Sequence, residues 1–291
     1  MSKNKAPTLI RQIDQSLQSR LAIGRPKRPD KADGSYRKYI YSWQTYRSYM
    51  KQLGLFARWC KRQHNARYLK ECRQYVAEYL QTRENLSMWT QKLDLAALQK
   101  LFQEYPGPPK KPFGVTLQPR LRQDIKRSRQ QATRDKDFSE SNNKDLIIFC
   151  RCTGLRRSEL QELHGTDLTA DGLQLHVIRN TKGGRWRMAP LVGEPEEIEL
   201  VQRMCQEAGD SRVWPSVPGS ADIHSYRADY CQRIYLQHAR TIDQIPANCR
   251  YYCRGDRKGV ILDRAAMLIA SRALGHNRID VIASHYLYNL Q

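Results

Sequence analysis

The sequence predicts a mostly α-helical protein with a small β-sheet, organised as two domains. Three observations carry this expectation. Apolar residues recur at helical spacing through most of 36–104. Two short segments, Leu173–Ile178 and Arg185–Leu191, are rich in branched or alternating apolar residues and flank a Lys182-Gly183-Gly184 turn, as the strands of a hairpin do. A proline-rich stretch, Tyr105-Pro-Gly-Pro-Pro-Lys-Lys-Pro112, separates the helical part from the mixed part. The length of 291 residues suits one large domain or two ordinary ones, and is enough to bury a core.

In chain order, 1–35 holds one helix and a basic arm. Ile10, Ile13, Leu17 and Leu21 share a helical face, and Gly24 is a natural stop. Arg25-Pro-Lys-Arg-Pro-Asp-Lys31 is basic and broken by prolines, so it reads as a flexible arm, either lying on phosphates or serving as a solvated linker. The helical domain spans 36–104. Its first helix carries the stripe Ile40, Trp43, Tyr46, Met50, Leu53 and Ala57, with Arg47, Lys51, Arg58, Lys61 and Arg62 mostly off it. A second helix is expected over 69–82, and a third over 86–103 that buries Trp89, Leu93, Ala97 and Leu101. The aromatic residues read as core, and the basic ones as the better candidates for contact with nucleic acid. The linker is 105–116. The mixed domain, 117–291, begins with an apolar run at 146–152 leading into Thr153-Gly-Leu-Arg-Arg-Ser-Glu-Leu160. After the hairpin come helices near 195–205, 225–239 and 263–274, an inserted hairpin over 251–262, and a short helix at the end.

Charge narrows the function. Lys and Arg total 50 against 29 Asp and Glu, a net charge of +21. Such an excess repels itself in a compact chain, and a polyanion offsets it. A membrane surface fits poorly, because no apolar run approaches the ~18 residues of a spanning helix. The first residues, Met1–Arg11, lack the apolar stretch of a signal peptide, so a cytoplasmic location and reduced cysteines are expected. Cys249 and Cys253 are close in sequence, but a four-ligand set is not visible, so no metal and no cofactor are expected.

The polar residues of the mixed domain suit one chemistry. Arg156, Lys182, His224, Arg227, His276 and Tyr286 follow one another in order. A phosphodiester under attack gathers negative charge on its non-bridging oxygens. Guanidinium groups offer paired donors of matching geometry and stay charged, so Arg156 and Arg227 are candidates for a clamp that replaces a metal. A tyrosine hydroxyl, with an ordinary pKa near ~10, needs help to act as a nucleophile, and a histidine within an arginine field can give it. The leaving 5′-oxygen needs a proton, which a lysine on a hairpin can deliver. A covalent phosphotyrosine would conserve the bond energy, so rejoining needs no ATP.

These same residues resemble the catalytic domain of the tyrosine recombinase, or phage integrase, family. The likeness lies in the Thr153–Leu160 box, the hairpin lysine Lys182, the His224-Ser-Tyr-Arg227 box, and Leu274-Gly-His276 followed by Tyr286. The resemblance implies that the two arginines and His276 bind the scissile phosphate, that His224 acts in proton transfer, that Lys182 is the general acid and that Tyr286 attacks. It makes Glu159 a structural acid beside the site. It implies a core-binding domain over 36–104 and a mixed α+β tyrosine-recombinase catalytic domain over 117–291. The partners it implies are double-stranded DNA carrying specific recombination sites and further copies of the chain, a dimer per site and a tetramer in the synapse, with accessory DNA-bending proteins admitted. The task it implies is metal- and ATP-independent integration or excision of a mobile element.

Three departures bear on this. The interval from Arg227 to His276 is longer than the family's usual one; the extra length forms the hairpin expected over 251–262, whose Arg254, Arg257 and Lys258 either touch phosphate or make a solvated basic turn. Tyr288 competes as nucleophile, but the family interval from Gly275-His276 favours Tyr286, with His285 a bystander. The chain ends at Gln291, soon after Tyr286, whereas family members often extend a C-terminal helix into a neighbouring protomer; coupling is expected to use another element or the tyrosine segment itself. A type IB topoisomerase-like enzyme and an inactive DNA-binding accessory protein are the alternatives.

Overall fold

A computed structural model describes residues 7–106, 111–119, 137–181 and 184–290. The chain divides into two compact units, Met1–Asp124 and Ile125–Gln291. In the first, α1 (Leu9–Gln18) begins where Thr8 Oγ1 accepts from the Arg11 N–H at 3.3 Å. Its Leu9, Ile13 and Leu17 enter the same core as α3 (Trp43–His64) and α6 (Met88–Phe102). The stretch expected as a flexible arm is instead ordered as α2 (Lys27–Ala32). Asp30 is buried there and accepts from Arg25 Nη2 and from the Tyr41 hydroxyl, each at 2.5 Å. A carboxylate taken from water holds its partners in place, which the basic composition alone did not reveal.

Helix α3 starts at Ser42, whose Oγ accepts from the Thr45 N–H at 3.2 Å, and stops at Asn65 in the left-handed region, φ 50°. Leu53, Phe56, Ala57 and Cys60 form its buried face. Trp43, expected in that stripe, sits at the helix's first position and is 51% exposed. The single helix expected over 69–82 is broken into α4 (Leu69–Cys72), a 3₁₀ turn at Arg73–Tyr75 and α5 (Val76–Gln81). In α6 the buried face is rotated from the expected one. Gln91, Asp94, Ala97, Leu98 and Leu101 are buried, whereas Trp89 is 37% exposed. The reason is hydrogen bonding from the preceding loop: Gln91 Nε2 donates to the carbonyls of Glu84 (3.0 Å) and Leu86 (2.7 Å), and Asp94 accepts from Arg83 Nε at 3.1 Å. Polar residues so partnered can occupy a face that apolar counting assigns elsewhere.

Lys100 of α6 is also buried, and its ammonium donates to the carbonyls of Tyr36, Arg37 and Tyr39, binding the segment before α3 to α6. Burial, reinforced by the charges of Lys27 and Arg20, lowers its pKa to about 8.

In the second unit, α7 (Lys144–Thr153) and α8 (Arg157–Leu160) precede a two-stranded antiparallel sheet, β1 (Gln174–Val177) and β2 (Arg187–Pro190), in the register Gln174↔Pro190 to Val177↔Arg187. Then follow α9 (Pro195–Ala208), α10 (Ile223–His238), a second antiparallel pair β3 (Arg250–Tyr252) and β4 (Ile261–Asp263), α11 (Arg264–Ala273) and α12 (Ile279–His285). The mostly α architecture with small sheets is therefore as the sequence predicts. Helix α10 packs on both α7 and α11. Ile223 and Tyr226 join the core of α7 and β1–β2, while Tyr230, Cys231 and Ile234 join that of α11 and α12. Among the described residues no helix is long and apolar enough to cross a membrane.

Replacing Lys100 with methionine removes the donor that the carbonyls of Tyr36, Arg37 and Tyr39 share. Urea unfolding of Lys100→Met is expected to show a loss of ~1–3 kcal/mol.

Candidate active site

The site is assembled where two helices end. Helix α7 stops at Gly154, in the left-handed region with φ 58°, and a Cβ there would meet the Tyr230 ring at 2.1 Å. Glycine is required on both counts. The Gly154 carbonyl accepts from Arg227 Nη1. The chain then turns into α8 with Arg156 at its head, its backbone N–H on Glu159 Oε2 at 2.8 Å. The Arg156 guanidinium reaches Glu159 Oε1 at 2.5 Å and the Leu274 carbonyl at 3.3 Å.

Leu274 caps the other helix, α11. The last carbonyls of a helix lack intrahelical donors and carry partial negative charge. Here arginines supply the donors: Arg187 Nε to Ala273 O at 3.0 Å, and Arg156 Nη2 and Arg227 Nη2 to Leu274 O. Gly275 follows with φ 69°, and a Cβ would lie 2.9 Å from Arg187 Cδ. This turn delivers His276 to the site. Arg187 also forms a bidentate ion pair with Glu159, Nη1 to Oε1 at 2.9 Å and Nη2 to Oε2 at 2.8 Å.

Tyr286 stands at the end of α12 and is 5% exposed. Its hydroxyl lies 3.4 Å from Arg227 Nε and 3.3 Å from His276 Nε2. The exposed His224 brings its ring centroid to 5.3 Å from that of Tyr286. Gln232 of α10 holds the Tyr286 backbone by donating Nε2 to its carbonyl at 3.0 Å.

Burial alone would raise the Glu159 pKa. The Arg187 hydrogen bonds and charge, the Arg156 N–H and the charge of Arg227 outweigh it and bring the value to about 2. Arg227 is almost fully enclosed, and burial, with the like charges of Arg156 and Arg187, lowers its pKa to about 10, leaving it cationic at neutral pH. The network holds three guanidiniums beside one carboxylate, which pairs with Arg156 and Arg187, so positive charge is left in excess. The arrangement is suited to an anion, with a hydroxyl beside it that a histidine can deprotonate.

Arg156, His224, Arg227, His276 and Tyr286 therefore lie together. Lys182 falls outside the described residues. The hydroxyl of Tyr286 meets both Arg227 and His276. Arg187 is a residue that the motif pattern does not point to. Its signal is the strand alternation, which puts Arg187 on the buried face of β2 with Ala189. Of the inserted basic residues, Arg254 and Lys258 are exposed, but Arg257 is buried and donates to backbone carbonyls, so both readings of it as a phosphate contact or a solvated group are corrected. No group of three or more His, Cys, Asp or Glu among the described residues could hold a metal ion.

Solved structures share this architecture. The Tn1549 transposon integrase, bound to transposon right-end DNA, matches over 96% of this chain and 95% of its own at 14% identity, TM-score 0.50. The same integrase with circular intermediate DNA matches equally, at 14% identity and TM-score 0.50. The XerH site-specific recombinase, bound to its difH substrate before cleavage, is 15% identical over 95% of this chain and 91% of that one, TM-score 0.49. Neither a family model nor a curated protein matches the sequence. The chain has the tyrosine recombinase fold.

Glu159 supplies a pH test. Its value in the folded chain, about 2, lies below the ordinary 4.5, so the stability it contributes is complete above about 4.5 and is lost as pH falls toward 2. Thermal unfolding across that window should show this acid limb. In Glu159→Gln, the limb should flatten and neutral-pH stability should drop by ~3–5 kcal/mol, because Arg187 stays buried without its counter-ion.

Proposed function

We propose that this chain is a site-specific DNA recombinase that cleaves and rejoins strands through a 3′-phosphotyrosine intermediate. The observation that carries the reading is the Tyr286 hydroxyl lying within reach of both Arg227 and His276, on the fold shared with the DNA-bound integrase. In the proposed step, Tyr286 Oη attacks the scissile phosphorus and gives up its proton to His276, in the tautomer with Nε2 unprotonated. The P–O5′ bond breaks, and Lys182 protonates the leaving 5′-oxygen. Arg227 meets charge developing on the phenolic oxygen. Arg156, whose side chain keeps 20% of its surface exposed, meets the non-bridging oxygens together with Arg227. His224 assists proton transfer from the open side. A 5′-hydroxyl attacking the phosphotyrosine reverses the sequence and rejoins the strand. No external energy source is needed, because the number and type of phosphoester bonds are unchanged.

The net charge of +21 supports DNA as the partner. Assembly as a dimer on each site and a tetramer in the synapse, and integration or excision of a mobile element, complete the proposal; they rest on the family resemblance in the sequence.

The test uses nicked duplexes made from the DNA flanking the gene, resolved by denaturing electrophoresis. The unaltered protein should leave a covalent adduct, and Tyr286→Phe should bind but leave none, whereas Tyr288→Phe should still form one. Arg156→Ala and Arg227→Ala should each lose ~3–4 kcal/mol of transition-state stabilisation, read as adduct rate. Binding without any adduct from the unaltered protein would sink the catalytic reading, and efficient relaxation of a site-free plasmid would favour a topoisomerase. A second measurement, DNA affinity against salt, should fall steeply as counterions are released; a flat response contradicts phosphate-dominated binding.

A further inference from the structure

The inserted hairpin carries a buried arginine that the proposed chemistry does not use. Arg257 lies in the short 3₁₀ turn Gly255–Arg257 between β3 and β4 and is 9% exposed. Its guanidinium points at the end of the tyrosine helix. Nη1 donates to the Leu287 carbonyl at 2.7 Å and to the Ala283 carbonyl at 3.5 Å, and Nη2 donates to the Leu290 carbonyl. These acceptors bracket Tyr286. Ala283 lies in the last turn of α12, and Leu287 directly follows the tyrosine. Three backbone carbonyls in the last turn of α12 and just beyond it thus converge on one planar donor.

The hairpin that holds Arg257 is itself tied down. At its base Asp263 is fully buried and receives Arg240 Nε at 2.6 Å and Nη2 at 2.8 Å, while its Oδ1 also caps α11 through the Ala265 N–H at 2.9 Å. The Cys253 N–H to Val260 carbonyl bond, 3.0 Å, extends the strand pairing toward the turn. Cys253 and Leu262 of the hairpin share one core with Ile282, Ala283, Tyr286 and Leu287. The anchoring path runs from α10 and α11, through the hairpin, to the backbone on both sides of Tyr286. From the other side, Gln232 holds the Tyr286 carbonyl.

We infer that Arg257 is a positioning residue for Tyr286: the inserted hairpin holds the nucleophile's backbone within its own chain, so that the hydroxyl stays between Arg227 and His276. This rests on the recombinase reading above. It gives the extra length between Arg227 and His276 a mechanical task in place of a DNA contact. The effect is on orientation, since Arg257 donates to backbone carbonyls on either side of the tyrosine. A nucleophile displaced by a fraction of an ångström to an ångström reacts far more slowly at unchanged binding.

Two readouts on the full chain, Arg257→Ala beside Arg257→Lys, test this. The first is hydrogen exchange of the backbone amides at 286–290, which does not depend on catalysis. Exchange should accelerate in Arg257→Ala and less so in Arg257→Lys, whose ammonium can reach some of the carbonyls. The second is the single-turnover rate of adduct formation on a nicked duplex. It should fall roughly ten- to a hundredfold in Arg257→Ala with DNA affinity unchanged, and recover in part in Arg257→Lys. Unchanged exchange, or an unchanged adduct rate, overturns the inference while leaving the recombinase reading in place. So does a loss of DNA affinity that accounts for the whole rate effect, because Arg257 would then be a DNA contact. If the unaltered protein forms no adduct, the recombinase reading and the positioning role fall together, and faster exchange in Arg257→Ala would then report anchoring alone.

Discussion

The C-terminal carbonyls of α11 are the constraint on which the rest of the site depends. A helix end leaves acceptors without donors, and burying them unpartnered is costly. In this chain the donors are arginines: Arg187 on Ala273, and Arg156 and Arg227 on Leu274. Three side chains from three separate elements, α8, β2 and α10, are thereby brought to one point. The turn at Gly275 leaves room for Arg187 and sends the chain on to His276 and α12. The same few atoms therefore gather the cations and aim the tyrosine helix at them.

Collecting guanidiniums in one place is unfavourable unless they are paired. Glu159 pairs two of them, Arg187 in a bidentate contact and Arg156 in a single one, and its carboxyl is held ionised down to about pH 2. Among the described residues Arg227 is partnered by two carbonyls and the Tyr286 hydroxyl, with no acid in hydrogen-bond contact. The charge that remains is a standing preference for an anion beside the tyrosine. Preorganised donors of this kind do not need to reorganise when charge develops, which is why such an arrangement suits phosphoryl transfer.

Helix α10 gives the arrangement its stiffness. It packs on α7 and on α11, contributes Arg227 and Gln232 to the tyrosine, and ends near Arg240, which clamps the inserted hairpin through Asp263. The glycines of both motif boxes follow from the same packing. Gly154 yields to the Tyr230 ring of α10, and Gly275 to the Arg187 side chain. Their place in the sequence pattern is thus a record of close approach between elements.

Much of the site is legible in the sequence, because its chemistry needs particular residue types in a fixed order. Arg156, His224, Arg227, His276 and Tyr286 stand out by type and order alone, and periodicity marks the hairpin and most helices of the second unit. What sequence by itself determines is composition, period and order, the properties that are local along the chain. What only tertiary structure decides is the partner of each polar group. The buried face of α6 turns on hydrogen bonds from a loop, which put Gln91 inside and Trp89 outside. The stretch that reads as a basic arm is fixed by a buried Asp30. Arg187 and Arg257 have the sequence surroundings of surface cations, and both are buried donors to backbone carbonyls at or just beyond a helix end. Backbone carbonyls are alike in every sequence. Which of them lack a donor, and which side chain reaches them, is fixed only when separate elements meet in space.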